Sequence, residues 1–430
     1  MHDSNYSLPT EFVEYTQSLF GCERWQHYVD AFSQEAPASI RINPLKAHDI
    51  GTLNFGKATT EPVPWCRSGY YLSERPDFTL DPLLHAGAYY VQEASSMFLD
   101  EVVRQLMPEL PQDGGVALDL CASPGGKSTL LRAALPEGCT LYSNEPDHKR
   151  ANILMENLQK QGFPRVIVTN NYAKDYARSG LVFDFVLCDV PCSGEGMFRK
   201  DVGAIGEWSL QNVMKCQALQ RSIVEDIWPQ LKPGGIMVYS TCTFNTRENE
   251  ENVRWIVEQL GADIVKIDTA ADWGITGSLL AGWHEQVYRF IPGTTKGEGL
   301  FMAVLRKAAD AEFHVGKKTK KGQSADSGLR ILHSSTGCIE GTRKGKDIIP
   351  AHAEALSVTL EADKYPRAEL TRDDALRYLR RETITLPADT PRGYIVVTYH
   401  DMPLGFVKNI GNRANNLYPQ EWRIRKNFNI

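Results

Sequence analysis

Long apolar runs are missing from this chain of 430 residues. A membrane-crossing helix needs roughly 18 or more consecutive apolar residues, so none is expected. The opening Met1-His2-Asp3-Ser4-Asn5 lacks the charged and apolar regions of a secretory leader. That points to the cytoplasm, where thiols stay reduced. Cysteine is scarce: nine residues, an odd number, with no C-x-x-C pair. Cys188 and Cys192 have no matching His or Cys cluster, so neither a disulfide framework nor a metal site is expected. Also absent is G-x-G-x-x-G, which weighs against a dinucleotide. Gly126-Lys127-Ser128 imitates the end of a P-loop, but position 121 is Cys where that loop needs Gly.

What remains is an ordinary globular composition, 42% hydrophobic and 23% charged, long enough for two or three domains. The net charge of −6 argues weakly against a nucleic-acid partner. Its distribution argues the other way. From His314 onward there are 20 basic and 13 acidic residues, or +7, against 27 basic and 40 acidic, or −13, before it. A basic tail on an acidic body fits a polyanionic partner, although a solvated basic surface has the same composition.

Residues 1–84 read as a mixed α/β module, with a short helix over 12–20 and strands over 39–43 and 65–72. From 85 to 307 strands and helices alternate, the pattern of a parallel sheet. Strands are expected over 116–120, 140–143, 166–169, 183–188 and 236–241, and helices over 127–135, 148–161 and 210–230. Asn245 followed by Glu248 suggests a capping box before a further helix. Residues 308–329 contain Lys317-Lys318-Thr319-Lys320-Lys321 and read as a basic flexible linker. A last module, 330–430, pairs a helix over 372–381 with strands over 394–399 and 404–407.

The chemistry gathers at strand ends. Cys121-Ala122-Ser123-Pro124-Gly125-Gly126-Lys127 lies between a strand and a helix, where glycines admit a ligand to the backbone. The next strand ends at Glu145, where an acid holds a ribose diol. A ribose without a phosphate suits S-adenosylmethionine better than ATP. Cys192, in Asp189-Val190-Pro191-Cys192-Ser193-Gly194, and Cys242, in Ser240-Thr241-Cys242-Thr243, follow two further strands. Cys22, Cys66, Cys139, Cys188, Cys216 and Cys338 read as small buried hydrophobes. Methylating cytosine at C5 needs a thiolate to add at C6, an acid near N3 and a second group to assist elimination. Two thiols with Asp189 and Lys127 match those needs, although Asp189 can also cap its turn and Lys127 can simply shape its loop.

These residues, with Gln92-Glu93-Ala94-Ser95-Ser96-Met97, Asn144-Glu145-Pro146 and Ser39-Ile40-Arg41-Ile42-Asn43, resemble the Sun/Nop family of RNA 5-methylcytosine methyltransferases. Glu195-Gly196-Met197-Phe198-Arg199-Lys200, Pro403-Leu404-Gly405-Phe406-Val407-Lys408 and Asn416-Leu417-Tyr418-Pro419 resemble its RsmF-type bacterial ribosomal RNA branch. The resemblance implies a Rossmann-like class I methyltransferase sheet, a small N-terminal α/β module and a C-terminal PUA-like RNA-binding domain. It implies Cys242 as nucleophile and Cys192 in product release, whereas DNA cytosine methyltransferases attack with a Pro-Cys like Pro191-Cys192. S-adenosylmethionine would be held by residues 121–127 and Glu145, with Asp189 between cofactor and base. One departure stands out: Asn170-Asn171-Tyr172 lies where the family has Asn-x-Asp, leaving Asn171 or Asp175 for the adenine. The implied partner is 16S ribosomal RNA in or near the small subunit, approached by a monomer. Transfer RNA as substrate and a non-catalytic RNA-binding assembly factor are the alternatives.

Overall fold

The computed structural model describes residues 8–312, 328–337, 339, 341–345 and 347–426. The lysine run 317–321 and Cys338 lie outside them. Helix α1 (Thr10–Ala31) is longer than the segment expected over 12–20, because a second helical stretch follows Gly21. That glycine, at φ 75°, breaks the helical backbone and kinks the element, a conformation a side chain would strain. The kink lets Phe12, Phe20 and Tyr28 all bury into one aromatic cluster with Phe198, Trp208 and Phe244. Strands β1 (Ala38–Ile42), β2 (Thr60–Pro62), β3 (Gly69–Leu72) and β4 (Tyr89–Val91) form an antiparallel sheet in the order β2-β3-β1-β4. Helix α2 (Pro82–His85) precedes the last of them. Because β4 pairs with β1, the N-terminal sheet runs past the boundary expected at residue 84.

The central region follows as α3 (Phe98–Leu106), β5 (Asp113–Asp119), α4 (Gly126–Ala134), β6 (Gly138–Asn144), α5 (His148–Gln161), β7 (Val166–Thr169) and β8 (Phe183–Asp189). Then come α6 (Val202–Glu207), α7 (Leu210–Ile227), β9 (Leu231–Thr241), α8 (Glu250–Leu260), β10 (Ala262–Ile264), β11 (Tyr288–Phe290), β12 (Leu300–Lys307) and β13 (Ile331–Ser334). The nine strands order as β10-β12-β9-β8-β5-β6-β7-β13, with β11 also paired to β12. The run β9-β8-β5-β6-β7 is parallel and the flanking strands are antiparallel, a Rossmann-like sheet. Side chains alternate across it as strand geometry demands. Phe185 and Leu187 join the core under α3 and α4, and Val186 and Cys188 join the core under α7 and α8. Strand order reverses between β5 and β8, so a crevice forms at their carboxyl ends.

Strand β13 corrects the boundary expected at residue 330. It pairs antiparallel with β7 and so belongs to the central sheet rather than to the tail. The tail continues with the hairpin β14 (Thr342–Lys344) and β15 (Asp347–Ile349), then α9 (His352–Leu356), β16 (Arg367–Glu369) and α10 (Arg372–Leu379). Strands β17 (Gly393–Tyr399), β18 (Met402–Asn409) and β19 (Ala414–Asn416) complete a sheet ordered β16-β17-β18-β19. Its core of Leu376, Tyr378, Leu379, Ile395, Val397 and Leu404 also takes in Ala86, just after α2. Behind α5, Val358 N donates to Gly162 O at 3.1 Å. A Cβ on Gly162, at φ +71°, would stand 2.0 Å from the Leu356 carbonyl oxygen, so the tail docks only on a glycine there. Among the described residues no helix is long and apolar enough to cross a membrane.

Candidate active site

A cavity of about 790 Å³ opens at the carboxyl ends of β5, β6, β8 and β9. Its floor is the turn after β5. Gly125, at φ +116°, sits at the N-cap of α4, a backbone state that favours glycine. A Cβ on Gly126 would lie 3.3 Å from the Tyr90 ring, so the N-terminal sheet closes over this turn. Cys121, Ala122, Ser123, Pro124, Gly126 and Lys127 line the cavity, as do Tyr90 and Gln92 from and just after β4. Gly125 does not line it; it shapes the turn. Asp119, at the end of β5, is fully buried and takes a bond from Ser128 Oγ at 2.6 Å, while its Oδ1 has no partner. Burial pushes its carboxyl up to about 7 against the opposing Ser128 bond. Glu145, 2% exposed at the end of β6, also lines the cavity. Its Oε1 accepts from Asp147 N at 3.0 Å, and Arg150 lies 3.6 Å from Oε2.

The two thiols meet at the far side. Cys192 follows β8, Cys242 follows β9, and their sulfurs are 3.2 Å apart. Both line the cavity. The bond between the sulfurs holds the Cys242 thiol below its ordinary value, helped by the nearby Lys127 charge and opposed by burial. The same bond, with burial, holds Cys192 well above its own. A shared sulfur–sulfur bond of this kind lets one thiol ionise while the other keeps its proton. Lys127 Nζ donates to Asp189 Oδ2 at 2.9 Å, and Ser240 Oγ donates to Asp189 Oδ1 at 2.7 Å. Burial works against the Lys127 ammonium, but the Asp189 carboxylate outweighs it and raises the amine.

Three glutamates hold this geometry; the sequence offered Glu248 as a cap and Glu195 within a family motif, and did not single out Glu298. Glu195, 1% exposed in the loop after β8, accepts from Phe244 N at 2.6 Å and Asn245 N at 2.9 Å in the loop after β9. It also accepts from Trp208 Nε1 at 2.9 Å. Glu248, fully buried, accepts from Ser193 N, Gln220 Nε2 and Asn245 Nδ2 at 3.0, 2.7 and 2.8 Å. Asn245 Oδ1 accepts Glu248 N at 2.9 Å, the reciprocal turn expected from the sequence, but α8 starts only at Glu250. Glu298 pairs with Arg199 at 2.8 Å and donates its own N–H to Glu93 at 3.0 Å. A buried carboxylate with several donors is among the stronger polar anchors available, so Glu195 and Glu248 fix one cysteine loop against the other, while Glu298 ties Arg199 to the segment before β12. In the sequence Glu195 and Glu298 each stand between two glycines, and Glu248 stands three residues after Asn245 as a cap.

The expected adenine residues lie elsewhere. Asn171 Nδ2 donates to Arg330 O at 3.2 Å, and its Oδ1 accepts Arg330 N at 3.0 Å. Its side chain thus grips the start of β13. Asp175 accepts Tyr172 N at 2.9 Å, Tyr172 is 63% exposed, and none of the three lines the cavity. Of the cysteines expected to be buried, Cys66, Cys139 and Cys188 are, Cys216 is half-buried and Cys22 is exposed.

Known proteins match this arrangement along the chain. A model described as 16S rRNA methyltransferase RsmB/F matches residues 107–306. The N-terminal domain of 16S rRNA methyltransferase RsmF matches 8–94, and the methyltransferase RsmF PUA domain matches 365–424. Ribosomal RNA small subunit methyltransferase F of Erwinia tasmaniensis is 29% identical over 98% of this chain and 98% of its own. The protein of that name from Aliivibrio fischeri is also 29% identical, with 98% of each chain covered. Among solved structures, a methyltransferase homolog protein from Pyrococcus horikoshii is 25% identical with a TM-score of 0.57, covering 70% of this chain and all of its own. NSun6 from the same organism, solved with SFG, shares the fold at 20% identity and a TM-score of 0.59, covering 71% of this chain and 100% of its own.

Proposed function

The chain belongs to the 16S rRNA methyltransferase RsmB/F family, and from that premise we propose that it methylates C5 of a cytosine in 16S ribosomal RNA through a cysteine adduct at C6. The observation that carries the reading is the pair of sulfurs 3.2 Å apart in the cavity that also holds the glycine-rich turn. The cofactor is S-adenosylmethionine, which when bound supplies an electrophilic methyl group. The cavity fits it: Glu145 offers a buried carboxylate for a ribose, Asp119 keeps a buried oxygen without a partner, and the turn at Gly126 is closely packed, a Cβ there crowding the Tyr90 ring at 3.3 Å. Residues 121–127, Glu145 and Asp189 would hold it, and the Asn171 side chain is not free to join them.

The protein's own part is proton and electron-pair management. Cys242 thiolate forms a bond to C6, making C5 electron-rich. Asp189, its two oxygens oriented by Lys127 and Ser240, gives N3 a proton as the thiolate adds and takes it back when the adduct breaks down. Once C5 carries the methyl group, the C5–C6 double bond reforms and the C6–sulfur bond breaks. Cys192 assists this release by passing its proton to the departing Cys242 sulfur and taking the proton lost from C5. The enzyme acts as a cytoplasmic monomer, with the N-terminal module and the tail gripping RNA.

The test is methyl transfer to 16S RNA lacking the modification, with the site mapped. We expect Cys242→Ala to abolish transfer while keeping cofactor affinity near normal, and Cys192→Ala to accumulate a protein–RNA adduct stable in denaturing gels. Full transfer by Cys242→Ala would reverse the two roles, and label appearing in transfer RNA alone would replace the substrate.

A further inference from the structure

The turn carrying Met197 stands at the rim of the cavity and is built unlike an ordinary surface turn. Glu195 and Gly196 before it and Phe198 after it are buried, while Met197 itself is 38% exposed and lines the cavity. Gly196 N donates to the Cys242 carbonyl at 2.8 Å. A Cβ on Gly196 would stand 2.9 Å from that carbonyl oxygen and 3.1 Å from that of Glu298, so the turn is pressed against backbone on two sides. Phe198 is anchored on Phe12, ring centroids 5.0 Å apart. Met197 O then accepts from Lys200 N and Asp201 N, both at 2.8 Å. Lys200, exposed at the same rim, forms no salt bridge among the described residues. The result is one apolar, flexible side chain on a rigid base beside the reactive sulfur, with a cation close by.

We propose that Met197 is a positioning residue that enters the base stack vacated by the target cytosine, with Lys200 taking a neighbouring phosphate. The proposal rests on the reading that the substrate is a cytosine of RNA. Such a base must leave its stack to reach a thiol in a cavity, and the vacancy costs stacking energy unless something fills it. Apolar wedges serve this purpose in nucleic-acid complexes, and a thioether chain adapts to an irregular gap. Glutamates 195 and 298 hold the base of the wedge in place, so insertion of Met197 and arrival of the base at Cys242 are geometrically linked.

The experiment compares two RNAs with the full-length enzyme: a folded 16S fragment containing the mapped cytosine, and a short single strand in which that cytosine is unstacked. Met197→Ala should lower turnover on the folded fragment roughly tenfold or more, and leave the single strand within about threefold of wild type. Met197→Leu should restore most of the loss, since volume rather than sulfur chemistry fills the gap. A fluorescent cytosine analogue at the target should brighten on binding wild type and Met197→Leu, but not Met197→Ala. Equal losses on both RNAs, or no loss on the folded one, would overturn the wedge. A wild-type enzyme that methylates neither RNA would instead overturn the function on which it rests.

Discussion

At the scale of single residues, the proposed division of labour between the two thiols turns on one contact. The bond to Cys192 is the largest influence lowering Cys242, ahead of Lys127. Replacing Cys192 by Ala should therefore raise the Cys242 thiol. With iodoacetamide, the pH midpoint of Cys242 alkylation should move up. An unmoved midpoint would mean that the Cys242 thiolate owes nothing to its neighbour. The two cysteines and Asp189 stood out in the sequence because each follows a strand. Glu298 did not, and Glu248 stood out only as a cap and Glu195 only within a motif, since a glutamate in a loop ordinarily reads as solvated and only tertiary packing reveals the donors around it. Asn171 misled for a related reason: its partner is the backbone of Arg330, 159 positions away in the chain.

At the scale of elements, the parallel strands were legible because their apolar runs are long and bounded by turns. Strand β7 and helix α5 have the limits expected from the sequence. Strand β13 was not legible. Ile331-Leu332-His333-Ser334 is short and partly exposed, and its pairing with β7 is a long-range event that local pattern does not encode. The loops after β8 and β9 behave as one element through Glu248. Burial lifts this carboxyl from 4.5 to about 7, so the folded state binds a proton that the unfolded chain has released. Its contribution to stability is full below pH 4.5 and is lost as pH rises through about 7. In denaturant unfolding across that window, Glu248→Gln should remove a downward slope of up to ~1.4 kcal/mol per pH unit. Parallel slopes for variant and wild type would place the proton elsewhere. Asp119 shifts in the same direction and should persist in both proteins.

At the scale of the whole molecule, the tail is a docked body, joined to α2 and α5 by Ala86 and Gly162. Its RNA contacts therefore have a fixed relation to the cavity. Arg413, Arg423 and Arg425 are exposed and form no salt bridge among the described residues. Changing all three to Ala should weaken binding to every RNA tested and reduce the slope of log affinity against log salt by roughly one per lost phosphate contact. An unchanged slope in a filter-binding salt series would assign these arginines to solvent.

Strand β13 has a further consequence. It is encoded beyond residue 306, where the catalytic match ends, yet it covers the outer edge of β7. A fragment cut at that residue would keep the cysteines, the glycine-rich turn and Glu145, but it would leave the outer edge of β7, along Ile167–Thr169, without its partner strand. An open strand edge is a template for another copy of the same edge. Such a fragment would be expected to betray the cut first by self-association, with its chemistry still in place.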